Sequence, residues 1–148
     1  MKTADVCNRD VASVRPQASL YDTSRLMRQA HVGCVVVTDD ADSHRPVGII
    51  TDRDIVVEVV AAGLDPKTVT AGEIMGSSLV VAREDDDALV SLKTMRRRGV
   101  RRLPVVDSTG KLRGIVTLDD LLEAGATAVN DVVQAIASER ALETWRRT

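Results

Sequence analysis

The chain has 148 residues, 44% of them hydrophobic, which is one domain's length with enough apolar material for a core. A net charge of −2 gives no electrostatic footprint for nucleic acid, where a strongly basic face is expected, and one Trp, one Tyr and no Phe leave almost nothing on which bases could stack. No run of about 18 apolar residues and no apolar signal-peptide core occurs, so the expectation is a cytoplasmic protein without membrane or nucleic-acid partners.

In chain order, the first extended stretch is Asp10 to Val14, followed by a helix with Leu20, Leu26, Met27 and Ala30 on one face. Two strands follow, "CVVVT" from residue 34 and "VGIIT" from residue 47, flanking a loop rich in turn-forming residues. A second helix, "DRDIVVEVVAAG", starts at Asp52 and meets a stop signal at Gly63. The same order then recurs. Leu79 to Ala82 is extended, Ala88, Leu89, Leu92 and Met95 mark a helix, "RLPVV" and "LRGIV" are strands, and "LDDLLEAG" is a helix expected to stop at Gly125.

This recurrence is a tandem duplication. Met27 aligns with Met95, Asp39 with Asp107 and Val6-Cys7 with Ile74-Met75 at a shift of 68, which becomes 66 from Gly48 and Gly114 onward. The expected fold is α/β (α+β), two repeats of strand, helix, strand, strand, helix packed sheet to sheet about a pseudo-twofold axis. Boundaries are placed at 5–62 for the first repeat, 63–69 for a linker and 70–124 for the second repeat. Residues 126–148 read as a separate amphipathic helix, with Val129, Val132, Val133 and Ile136 on a face that either packs on its own repeat or contacts a partner.

"GIITDRDI" at 48–55 and "GIVTLDDL" at 114–121 carry the chemistry. Thr51 with Asp54, and Thr117 with Asp120, have the spacing of a capping box, in which hydroxyl and carboxylate satisfy free N–H groups at a helix start. The same strand-to-helix step offers N–H donors and a positive dipole end to a phosphate or a ribose edge. Both uses are compatible.

These residues, with "PVVD" at 104–107 and the methionine-bearing helices, resemble a cystathionine beta-synthase (CBS) domain pair, or Bateman module, over roughly residues 5 to 124. The stretch 51–75 further resembles stand-alone bacterial CBS-pair proteins of the hypoxic-response type. The resemblance implies two clefts for an adenosine-containing ligand of the AMP, ADP or ATP class, with NAD or S-adenosylmethionine as alternatives and no required cofactor. Asp54 and Asp120 would then accept ribose hydroxyls, and Thr51 and Thr117 would contact ribose or phosphate. Ser13 and Val14, with Val81 and Ala82, would line the adenine pocket through backbone, and Val35 and Leu103 would supply apolar wall. Arg101, Arg102 and Arg53 are the phosphate candidates; Arg53 aligns with Asp119, so the clefts are expected to differ. The resemblance also implies a homodimer and an unidentified regulated protein, or else a ligand-free assembly module.

The remaining polar features have plainer readings. Arg96, Arg97 and Arg98 suit a helix C-terminus, "REDDD" at 83–87 a helix N-terminus, and His31 a structural helix end. Asp39, Asp40, Asp42 and His44 read as a solvated hairpin loop with a cation as the alternative, and Cys7 and Cys34, lacking metal-knuckle spacing, as buried free thiols. No nucleophile has a base beside it in sequence, so no enzymatic activity is expected.

Overall fold

A computed structural model describes residues 1–40 and 44–147. After a short helix α1 (Thr3–Val6) the first repeat comprises β1 (Ser13–Val14), α2 (Leu20–Ala30), β2 (Cys34–Thr38), β3 (Pro46–Thr51) and α3 (Asp52–Ile55), which continues as a π-helix over Val56–Val60. A bridging helix α4 (Ala71–Ile74) leads to β4 (Ala82–Arg83), α5 (Ala88–Arg98), β5 (Arg102–Val106), β6 (Leu112–Thr117) and α6 (Leu118–Arg147). The expected order of strand, helix, strand, strand, helix is present twice.

Each repeat forms its own three-stranded sheet, β1-β2-β3 and β4-β5-β6, with the first pair parallel and the second antiparallel. The duplication extends to register: Cys34 faces Thr51 as Arg102 faces Thr117, and Val37 faces Gly48 as Val105 faces Gly114. Strand alternation then divides the side chains. In β2, Val35 and Val37 join Leu20, Met27 and Ile50 in a core beneath the helices, while Cys34 and Val36 turn to the opposite face. Leu103 and Val105 do the same in the second repeat with Met95 and Val116. A third cluster, Val36, Leu112 and Ile115 with Val11, Cys34 and Ile49, lies between the sheets and joins the repeats.

The segments that precede the repeats are exchanged. The N-terminal segment docks on the second repeat, where Thr3 and Ala4 donate to the carbonyls of Asp86 and Glu84 and Asn8 exchange backbone bonds with Ile115. The bridging segment docks on the first repeat, where Leu20 and Tyr21 donate to Val69 and Pro66, and Ala71 and Gly72 donate to Ala18 and Pro16. Val6 and Cys7 therefore pack into the second core, and Ile74 and Met75 into the first. Neither repeat completes its core with its own sequence-contiguous residues alone.

Two expectations are corrected. The first strands are shorter than predicted: only two residues of each pair with the sheet, and Asp10–Ala12 run on as an extended lead-in held by the Val36 N–H to Ala12 carbonyl bond. Gly125 does not stop a helix either. Helix α6 passes through it without a break, whereas Gly63 and Gly99 do adopt the left-handed conformation. Gly125 aligns with Val59, which is inside the first repeat's helical segment, and it is followed by Ala-Thr-Ala-Val with no proline to end the turn.

His31 is the left-handed C-cap of α2, where the second repeat has Gly99, so its structural reading fits its position. Asp87 caps α5 through the Leu89 N–H, and Glu84 lies within 3.8 Å and 3.9 Å of Arg9 and Arg113, which accounts for much of the "REDDD" cluster. In the hairpins, Asp39 accepts from the N–H of Asp40 and Arg45, and Asp107 accepts from Thr109 and Lys111. The bond from the Thr109 hydroxyl is the main cause holding the Asp107 carboxyl below its ordinary value. Asp42 lies outside the described residues.

Candidate functional site

Both capping boxes form. The Thr51 and Thr117 hydroxyls each accept from the N–H of the aspartate three residues on, at 3.1 Å, and Oδ2 of Asp54 and Asp120 accepts from the threonine N–H at 2.9 and 2.8 Å. The strand β3 or β6 thus turns into its helix with the aspartate side chain folded back across the step. Among the described residues nothing donates to Oδ1 of either carboxylate, so each retains an acceptor for an outside donor. A second link fixes the step: Asp52 N–H donates to the Gly33 carbonyl and Leu118 N–H to that of Arg101, so the start of β2 or β5 is tied to the helix start.

At the second of these steps the two repeats enclose a cleft of about 200 Å³. Thr117, Asp120, Ile115 and Arg102 come from the second repeat, and Val32, Gly33, Cys34 and the lead-in Asp10–Ala12 from the first, with Asn8 at its edge. An acidic pair, Asp10 and Asp120, therefore shares the cleft with one guanidinium, amid apolar wall from Val11, Val32 and Ile115. The volume is below the 300 to 1,000 Å³ usual for drug-sized ligands, which restricts the cleft to a small molecule or to part of a larger one. A larger depression of about 540 Å³ follows the outside of α2, but its lining from Tyr21 to His31 comes from one helix and its cap and brings no distant groups together.

Cys34 belongs to the cleft wall. Burial pushes its thiol above the ordinary value, with the Asp52 carboxylate adding to the rise and the Arg102 guanidinium opposing it. Burial likewise raises Cys7, whose thiol lies on the second repeat's core and donates to the Ala4 carbonyl at 3.7 Å. Both cysteines are free and half-buried.

Of the residues singled out in the sequence, Thr117, Asp120 and Arg102 meet in this cleft, and Thr51 and Asp54 form the equivalent step of the first repeat. Arg53 is exposed on the first turn of α3. Arg101 is exposed and 3.9 Å from Asp119, an ion pair of small energetic weight that occupies both charges. Val35 and Leu103 do not line this cleft: both are fully buried under the helices, in the cores on the helix side of each sheet. Val14 packs on the first core, Ala82 lies in the second, Ser13 is half-buried in β1, and Val81 is exposed just before β4. The lining contributed by the first strand comes instead from Asp10, Val11 and Ala12, immediately upstream. Cys34 and Gly33 were missed as wall residues. The alternation of β2 was the available signal, since placing Val35 inward sends Cys34 to the other face.

Residues 4–61 and 71–127 match the CBS domain family, and the chain belongs to that family as a CBS-domain pair. It is 38% identical over 144 residues to hypoxic response protein 1 of Mycobacterium tuberculosis, covering 96% of this chain and 99% of that one. An uncharacterised protein of Methanopyrus kandleri is also 38% identical, over 123 residues that make up 83% of this chain but 62% of that protein. Among solved structures, hypoxic response protein 1 with two coordinated zinc ions superposes with a TM-score of 0.74 at 33% identity, over 83% of this chain and 98% of that one. A CBS domain protein of Pyrobaculum aerophilum in complex with AMP superposes with a TM-score of 0.75 at 27% identity, over 86% of this chain and 99% of that one. Among the described residues no group of three or more His, Cys, Asp or Glu is arranged to hold a metal ion, and no helix is long and apolar enough to cross a membrane.

Proposed function

We propose that this chain is a non-enzymatic sensor in which an adenosine-containing ligand of the AMP, ADP or ATP class occupies the cleft at Thr117 and Asp120. The observation that carries this reading is the Asp120 carboxylate, which holds its helix cap with one oxygen and keeps the other for a hydroxyl donor at the cleft. Arg102 supplies the charge complement for one phosphate, and the walls of Val11, Val32 and Ile115 suit a base without aromatic stacking. AMP in the Pyrobaculum relative supports the ligand class. Transmission would run through α6, because the residue that meets the ligand is also in that helix's first turn. A ligand shifts the module's shape or contacts only by its differential affinity for two states.

A rival reading, a homodimeric assembly module without ligand, is favoured by exposed apolar side chains on the outer helices, among them Val56, Val57, Val60 and Leu89. Thermal unfolding with AMP, ATP, NAD and S-adenosylmethionine separates the two. A ligand at about 100 times its Kd adds about 2.7 kcal/mol. The sensor reading expects such a shift with an adenosine ligand, lost in Asp120→Ala beyond that variant's own cap penalty; no shift with any of the four at millimolar concentration contradicts it.

A further inference from the structure

We propose that Asp10 is a specificity-determining residue that restricts the cleft at Thr117 and Asp120 to adenosine ligands carrying one phosphate or none; the inference rests on the reading of that cleft as an adenosine site. The sequence sets this residue apart. The shift of 68 aligns Asp10 with Ser78, so the acid belongs to one copy of the repeat only.

Backbone bonds hold Asp10 at the cleft from both sides. Asn8 exchanges bonds of 2.9 Å with Ile115 on the second sheet, and Ala12 accepts from the Val36 N–H at 3.0 Å on the first. Asp10 lies midway along this lead-in, and its own N–H donates to Asn8 Oδ1 at 2.9 Å. The turn uses only its backbone. Among the described residues the Asp10 carboxylate accepts no hydrogen bond and joins no ion pair, so the fold makes no demand for an acid there.

Charge in the cleft is unbalanced. Arg102, half-buried and opposite Thr117 in the strand register, is the cation of the lining. Asp10 and Asp120 line the same space, and Asp52 stands behind its wall, with Oδ2 3.2 Å from where a Cβ on Gly33 would lie. Neighbouring cations are engaged elsewhere, Arg101 with Asp119 at 3.9 Å and Arg9 with Glu84 at 3.8 Å. A first phosphate can pair with Arg102. A second and a third add negative charge that only carboxylates face, and like charges brought together in a partly desolvated site repel strongly. In a space of about 200 Å³ this repulsion acts within the screening length of about 8 Å at physiological salt.

The test is isothermal titration of the full chain with AMP, ADP and ATP, without divalent cation, repeated for Asp10→Asn, Asp10→Glu and Asp120→Ala. Asp10 is exposed, so thermal unfolding without ligand serves as the folding control for its variants. The proposal expects AMP to bind the native chain at least about tenfold more tightly than ATP, with ADP between them. Asp10→Asn should narrow that ratio to about threefold or less, chiefly by tightening ATP, and Asp10→Glu should retain it. A turn residue without a role in selection would leave the ratio unmoved. ATP binding the native chain as tightly as AMP, or an unchanged ratio in Asp10→Asn, overturns the proposal while the adenosine site stands. No binding of any of the three, or AMP binding that survives Asp120→Ala, overturns the site reading and the proposal with it.

Discussion

A Cβ added at Gly114 would lie 2.8 Å from the Asn8 carbonyl oxygen and 2.9 Å from the Cys7 sulfur, and one at Gly48 would lie 2.5 Å from the Met75 sulfur. These are the glycines that open the two octapeptides. Each leaves room for the exchanged segment that crosses its strand, so the recurrence of glycine there is a packing requirement of the duplication. At Gly114 the obstruction is backbone, which cannot rotate away. Gly114→Ala should therefore destabilise by about 1 to 3 kcal/mol in urea unfolding, the range for forcing a methyl into a filled space. An unchanged midpoint would mean that the N-terminal segment does not dock as described. Threonine and aspartate at the other end of the octapeptide were legible as caps from spacing alone. Their place at a cleft was implied by the family resemblance and not by spacing, because it depends on which residues of the other repeat come opposite.

At the scale of elements, the same octapeptide starts two unlike helices. From Asp52 the chain makes one α-turn, widens into a π-helix at Val56 and ends near Gly63; from Leu118 it continues unbroken to Arg147. The hydrophobic period was readable in both, and so was the presence of a helix beyond residue 125. What misled was glycine, whose stop signal is conditional on a left-handed φ that the following residues do not impose at Gly125. The register of the repeat, which sets Gly125 against Val59, was the better guide. A Cβ at Gly125 meets nothing within 4 Å. Gly125→Ala should accordingly raise stability by up to about 1 kcal/mol, the helix-interior difference between the two residues, with a gain of helical circular dichroism at 222 nm. A loss of stability would show that the chain breaks there.

At the scale of the molecule, the two repeats are equal in strand register and unequal in charge. Arg102 stands where the first repeat has Cys34, and both residues line the cleft at Thr117 and Asp120, which draws its other walls from both repeats. The order of elements, the duplication and the face-to-face sheets followed from periodicity and internal alignment. The exchange of the flanking segments did not, since short segments such as Thr3–Val6 and Ala71–Ile74 carry too few residues to announce where they dock. For the same reason Asp10–Ala12 replaced Ser13 and Val14 as lining: strand ends are decided by pairing, which is non-local.

The cysteines make the central claim measurable at one position. Cys34 lies in the cleft wall and Cys7 on the second core outside it, and burial keeps both mainly as thiols at neutral pH. As the pH rises toward each raised value, both become more reactive, so alkylation by iodoacetamide near pH 8.5, with each site quantified by mass spectrometry, compares them in one sample. The sensor reading predicts that AMP at millimolar concentration slows alkylation of Cys34 several-fold and leaves Cys7 unchanged. Alkylation of Cys34 at the same rate with and without AMP, or equal slowing at both cysteines, would contradict an adenosine ligand in this cleft.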